Sequence, residues 1–237
     1  MNRIHNSGCD KLRAPLFSDF SHSVEENLKA DAEQLFSIPQ RATVFTPDQY
    51  EPKYAYPLVV HLSSEQSSTS DFLETMEQLS PQNYLGLDIA NAEKLLDCSA
   101  EIAQQHLKSM IGQVQRHYNV HSERILLMGS GPQGTQALHL FLNSCDAYWG
   151  FIALDPTKTT LPNLQQGFRS LRNRLGLILA SEENQWVRPA AELLHDAGVH
   201  MHLERQSAEI LTSPVLHRKA AKSIDHVVIT NIWRAGR

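Results

Sequence analysis

Arg124-Ile125-Leu126-Leu127-Met128-Gly129-Ser130-Gly131-Pro132-Gln133-Gly134-Thr135-Gln136-Ala137-Leu138 carries the pattern on which the fold turns. Ile125 to Met128 is apolar without interruption, which marks a strand covered on both faces. Gly129, Gly131 and Gly134 then open a turn, and the residues from Gln133 to Asn143 suit a helix lying back against that strand. Pro132 falls in the first helical turn, where proline is a good helix starter. A strand, a glycine turn and a helix in succession belong to a sheet whose strands are joined by helical crossovers.

The same alternation extends in both directions. Upstream, Thr43 to Thr46 reads as a strand ended by Pro47, and Leu58 to Leu62 as a second strand covered on both faces. Asp71 to Leu79 reads as a helix capped by Ser70 or Asp71, and Tyr84 to Ile89 as a strand. Ala100 to Tyr118 is the longest helix, with Ile102, Leu107, Met110, Ile111, Val114 and Tyr118 on one stripe. Downstream, Phe151 to Leu154, Leu175 to Ala180 and Val199 to Leu203 read as strands, with helices at Val187 to Ala197 and Leu216 to Trp233. Helices of this length imply right-handed crossovers and hence a doubly wound, mostly parallel α/β sheet with helices on both faces. Residues 1–40 read as an N-terminal arm with an amphipathic helix over Ser21 to Phe36, and residues 41–237 as one α/β domain.

Composition narrows the function classes. The chain has 237 residues, 41% of them hydrophobic and 20% charged, which is globular composition. A formal net charge of -5 gives no electrostatic footprint for nucleic acid. No apolar run approaches a membrane span, and Met1 to Asp10 lacks the apolar core of a signal peptide. Cys9, Cys98 and Cys145 are scattered and odd in number, which fits a reducing compartment. The expected setting is therefore cytoplasmic, with neither a nucleic acid nor a membrane as partner.

In such sheets, function gathers at the carboxyl ends of the strands. The Gly129–Gly134 turn resembles the nucleophile elbow of α/β-hydrolases, where Gly-x-Ser-x-Gly exposes a strained serine above the sheet. Tyr118-Asn119-Val120-His121-Ser122-Glu123-Arg124-Ile125 resembles the run before the elbow in phospholipase/carboxylesterase and dienelactone-hydrolase-like esterases. The resemblance extends from Thr43 to Trp233 and implies the α/β-hydrolase fold.

Carried over residue by residue, the resemblance implies a degenerate catalytic triad. It puts Gly131 at the nucleophile position, where glycine offers no group to be acylated. Ser130 sits one place early and is the alternative nucleophile in the turn. Ser63 and Ser64 replace the His-Gly pair of the loop that supplies one oxyanion N–H, and Pro132 and Gln133 stand across the same expected pocket. The acid position falls on Asn184, beside Glu182 and Glu183, and asparagine has no charge to stabilise an imidazolium. The base position falls on His217, with His226 a rival inside the helical run.

These residues define three expectations. The first is a non-catalytic α/β-hydrolase homologue that keeps the esterase-like pocket as a site for a small molecule or a partner. The second is an active carboxylesterase or thioesterase on a small acyl ester, using Ser130 or a displaced serine such as Ser63 with His217. The third is an interaction scaffold that holds a protein partner, or its own copy, through the N-terminal arm. Gly129-x-Gly131-x-x-Gly134 also matches a dinucleotide-binding fingerprint, but neither Asp146 nor Asp155 is expected at the end of the next strand, where the ribose contact belongs. His61, His195, His200 and His202, with His5 and His22, lack the spacing of a zinc site, so neither metal nor cofactor is expected. Cys145, after the turn helix, reads as a small buried residue.

Overall fold

A computed structural model of the chain describes residues 42–95, 99–161, 168–211, 213 and 215–235. The N-terminal arm with its Ser21–Phe36 helix, and also His5, His22, Cys9 and Cys98, lie outside the described residues. Among the described residues there are seven strands: β1 Ala42–Phe45, β2 Tyr56–Leu62, β3 Leu85–Ile89, β4 Val120–Ser130, β5 Gly150–Leu154, β6 Leu175–Ser181 and β7 His200–Gln206. They form one sheet in the order β1-β3-β2-β4-β5-β6-β7, with β1 antiparallel to β3 and every other pair parallel. The helices are α1 Thr69–Leu79, α2 Ala100–His117, α3 Pro132–Asn143, α4 Phe168–Leu171, α5 Val187–Asp196, α6 Ala208–Leu211 and α7 Arg218–Ala235, with a 3-10 turn at Ala92–Leu95.

Alternation along the strands builds two cores. Leu58, Val60, Leu127 and Ile178 face α2, α3 and α5, whose Leu107, Val114, Leu138, Phe141 and Leu194 close over them. Val59, Leu126, Met128 and Leu177 face the other way, under α1 and α7 with Phe72, Met76, Ala221 and Ile224. A strand buried on both faces needs apolar residues at every position, which is why the unbroken runs of β2 and β4 fall at the centre of the sheet.

The boundaries depart from the sequence pattern where tertiary contacts override it. β4 begins at Val120, which pairs with Tyr56, and a bulge between Tyr56 and Leu58 absorbs the change of register. β7 runs on to Gln206, since it stays in register with β6 as far as Ser181. The last helix starts at Arg218 rather than Leu216, and the Leu216 N–H ahead of it donates to Thr75 Oγ1 at 3.1 Å. None of the helices among the described residues is long and apolar enough to cross a membrane.

Candidate functional site

The turn after β4 forms the centre of the carboxyl edge. Gly131 has φ 56° and ψ -124°, outside the left-handed helical well that other residues visit. Its N–H donates to Leu154 O at 2.8 Å, and its carbonyl accepts from Thr135 N at 3.2 Å, so this conformation is fixed from both sides. The flanking glycines serve packing. A Cβ on Gly129 would stand 2.4 Å from Gln133 O, and one on Gly134 would stand 2.9 Å from Gly129 O. A Cβ on Gly131, by contrast, would meet nothing within 4 Å. The turn thus presents its apex, residue 131, to open space on a strained backbone, and the residue there has no side chain.

Pro132 follows the apex as the first residue of α3, exposed and without an N–H. Sequence reading placed it at the expected pocket and as a helix starter. Its larger consequence is that the backbone amide directly after the apex is absent. Gln133 is buried and donates Nε2 to Glu93 Oε1 at 2.9 Å. The same carboxylate oxygen accepts the Glu65 N–H at 3.1 Å, from the loop between β2 and α1. An N–H of that loop is therefore already held by an internal anion. Glu93, in the 3-10 turn, escaped sequence reading because nothing local ties it to residues 65 or 133.

Ser130 ends β4 in register with Leu154 and, by alternation, shares the face of Leu126 and Met128. Its hydroxyl makes no hydrogen bond with a histidine among the described residues. Ser63, the candidate displaced nucleophile, is held in a polar cluster. It is buried, its hydroxyl donates to Asp88 Oδ1, and it lies 3.0 Å from His61 Nδ1. His61 Nδ1 is in turn 3.0 Å from Asp88 Oδ1, and its ring stacks on Phe72. Serine and aspartate share one ring nitrogen, so this group is a buried clamp between β2 and β3 rather than a proton relay. Ser64 pairs with Ser67 Oγ at 2.9 Å within the loop.

Asn184 donates Nδ2 to Asp155 Oδ1 and to Pro156 O, each at 2.9 Å. Asp155 Oδ1 also accepts Ser181 N at 3.0 Å and Ser181 Oγ at 3.1 Å. This corrects the expectation for Asp155, which does stand directly after β5, with a φ of 40° that aspartate tolerates. That is where a ribose-binding acid belongs, yet its carboxylate is turned into the Ser181–Asn184 loop, and Pro132 removes a donor from the helix start that would meet a pyrophosphate. His217 is exposed, and its Nδ1 accepts the Lys219 N–H at 3.2 Å, which caps α7. An Nδ1 that accepts leaves the proton on Nε2, the reverse of what a general base needs. The structure brings Asn184 to Asp155 and His217 to the backbone of α7, and it joins neither of them to the apex by a hydrogen bond.

A groove of about 410 Å³ runs along α3 beside the apex, with Pro132 at one end and Asn143 at the other. His139 faces it with Nε2 2.8 Å from Thr159 Oγ1, and burial holds its pKa below the usual histidine value. Cys145 is half-buried against the core. Among the described residues, no three His, Cys, Asp or Glu side chains converge as a metal site.

Solved structures share this architecture. An esterase from Rhizomucor miehei aligns with a TM-score of 0.58 and 12% identity, over 86% of this chain and 88% of its own. Est1E from Butyrivibrio proteoclasticus gives 0.60 and 11%, over 82% and 95%. Esterase 2 of Thermogutta terrifontis, in a form phosphonylated by sarin, gives 0.57 and 12%, over 81% and 90%. No protein-family model matches the sequence. No curated protein matches it either. At such identities the likeness is one of fold, and the fold is that of the α/β-hydrolases.

Proposed function

We propose that this chain is a non-catalytic α/β-hydrolase-fold protein that works by binding rather than by hydrolysis. The observation that carries this reading is the pair Gly131–Pro132. The apex keeps the strained, outward conformation of a nucleophile elbow, but it carries no hydroxyl and is followed by a residue with no N–H. A serine hydrolase needs its nucleophile and its oxyanion donors together, and each donor lost costs several kcal/mol of barrier, about 3 by analogy with other enzymes. The engaged Glu65 N–H and the reversed His217 imidazole support the same reading.

The test is direct. The Thermogutta neighbour is phosphonylated by sarin; here a fluorophosphonate probe should label no serine, and p-nitrophenyl butyrate should turn over no faster than with a heat-inactivated sample. Stoichiometric labelling of Ser130 would instead establish the esterase reading.

A further inference from the structure

The groove along α3 has a chemistry that the loss of catalysis does not explain. Leu95, Ala103 and Leu140 give it an apolar floor. No acidic residue is among the described residues that line it, although the chain as a whole carries a net charge of -5. Lys158 stands at its mouth, exposed and without an ion-pair partner among the described residues. Burial lowers the pKa of His139 from the usual histidine value, so at pH 7 the lysine is the one positive charge among the described residues of the lining.

A second observation sits in the wall. Gln136 is 2% exposed and donates Nε2 to Ala92 O at 2.7 Å, while its Oε1 has no hydrogen-bond partner. A buried acceptor without a partner is rare in a settled core, and only a donor could satisfy it, so this part of the wall turns a carboxylate away and leaves Lys158 as its place. The Thr159 hydroxyl, facing His139, adds a further polar contact.

We propose that this groove binds a small monocarboxylate with a short apolar body, its carboxylate at Lys158 and its body on Leu95, Ala103 and Leu140. One uncompensated cation matches one negative charge, and a dianionic phosphate would leave a charge without a partner in a partly apolar groove. The volume is at the lower end of the range for small-molecule sites, which suits a short apolar body. The inference rests on the binding reading above and names the ligand class for it.

Isothermal titration with octanoate, octanol and octylamine as probes tests it on the full chain. Octanoate is expected to bind at one site, with octanol weaker and octylamine weakest. Lys158→Gln, at an exposed position, should keep the fold and weaken octanoate about three- to fivefold while leaving octanol unchanged, the size expected of one exposed charge pair. Ala100→Trp, at the exposed first residue of α2 in the groove wall, should abolish binding of both. Octanoate binding no tighter than octylamine, or indifferent to Lys158→Gln, overturns the ligand class. No saturable binding overturns the site. Fluorophosphonate labelling is read separately, so an inert protein that ignores octanoate sinks this inference alone, whereas a labelled serine sinks the non-catalytic reading.

Discussion

Asn184 gives its amide to Asp155 Oδ1 at 2.9 Å, and this bond decides what residue 184 can become. By resemblance, Asn184→Asp looks like the repair of a triad acid. In the structure it would set a second carboxylate against Asp155 and remove the donor to Pro156 O. Like charges at this range raise the carboxyl pKa of the folded pair above the unfolded value of about 3.9. A group raised in this way favours folding only when protonated, so the penalty is full at neutral pH and fades as pH falls through the raised value. Asn184→Asp should cost about 1–2 kcal/mol at pH 7.5. Urea unfolding of variant and wild type at pH 7.5 and pH 4.5 should show the gap narrowing in acid. A constant gap would mean that the two side chains are not neighbours.

The glycines of the turn should separate sharply under substitution. Gly131→Ala places a methyl in open space and costs only the backbone strain of a positive φ, about 1–2 kcal/mol. Gly129→Ala drives a methyl into the backbone of α3 at 2.4 Å, where no side chain can move aside, and should cost about 3 kcal/mol or more. Chemical denaturation of both variants checks this. Equal losses would show that residue 131 is not at an open apex.

Acid should weaken the fold partly through His139. Its pKa is lowered by burial, so below the unfolded value of about 6.5 the unfolded chain takes up a proton that the folded chain refuses, and stability falls as pH drops. His106 and His121 are lowered too, each mainly by burial, so they share the slope. His139→Gln should therefore make the decline between pH 6.5 and 5 shallower without abolishing it. The measurement is the urea midpoint at half-unit steps, and an unchanged slope refutes the assignment.

The strands at the sheet centre were legible because their burial on both faces leaves unbroken apolar runs at Leu58–Leu62 and Ile125–Met128. The strand-turn-helix around Gly131 was legible too, since the glycine spacing of the turn is a local property. What escaped was set by contacts distant in sequence. Glu93 reaches Gln133 across 40 positions, and Asn184 reaches Asp155 across 29. The role of His217 turned on one hydrogen bond to its own helix, which decides a tautomer that no spacing reveals. Pro132 was in plain view, but its meaning as a missing donor depends on Gly131 standing at the apex.

Restoring chemistry should therefore take two changes at the turn before any elsewhere. Gly131→Ser alone places a hydroxyl at the apex, with room for the side chain and a strain of about 1–2 kcal/mol. It still has no amide directly behind it to receive an oxyanion. Gly131→Ser with Pro132→Ala returns the missing N–H, at a small cost in the rigidity that proline gives the start of α3. The single variant should resist a fluorophosphonate. The double variant should label slowly and stoichiometrically at residue 131, because a reactive probe needs a hydroxyl and one donor more than it needs a full relay. Turnover of p-nitrophenyl butyrate should stay at background in both, since His217 keeps its Nδ1 on the Lys219 N–H and Glu93 keeps the Glu65 N–H. Intact-mass measurement after probe treatment reads labelling, and tryptic mapping places it. A folded double variant that never labels would falsify the assignment of residue 131 as the outward-facing apex, and labelling of the single variant would show that Pro132 is not the missing donor.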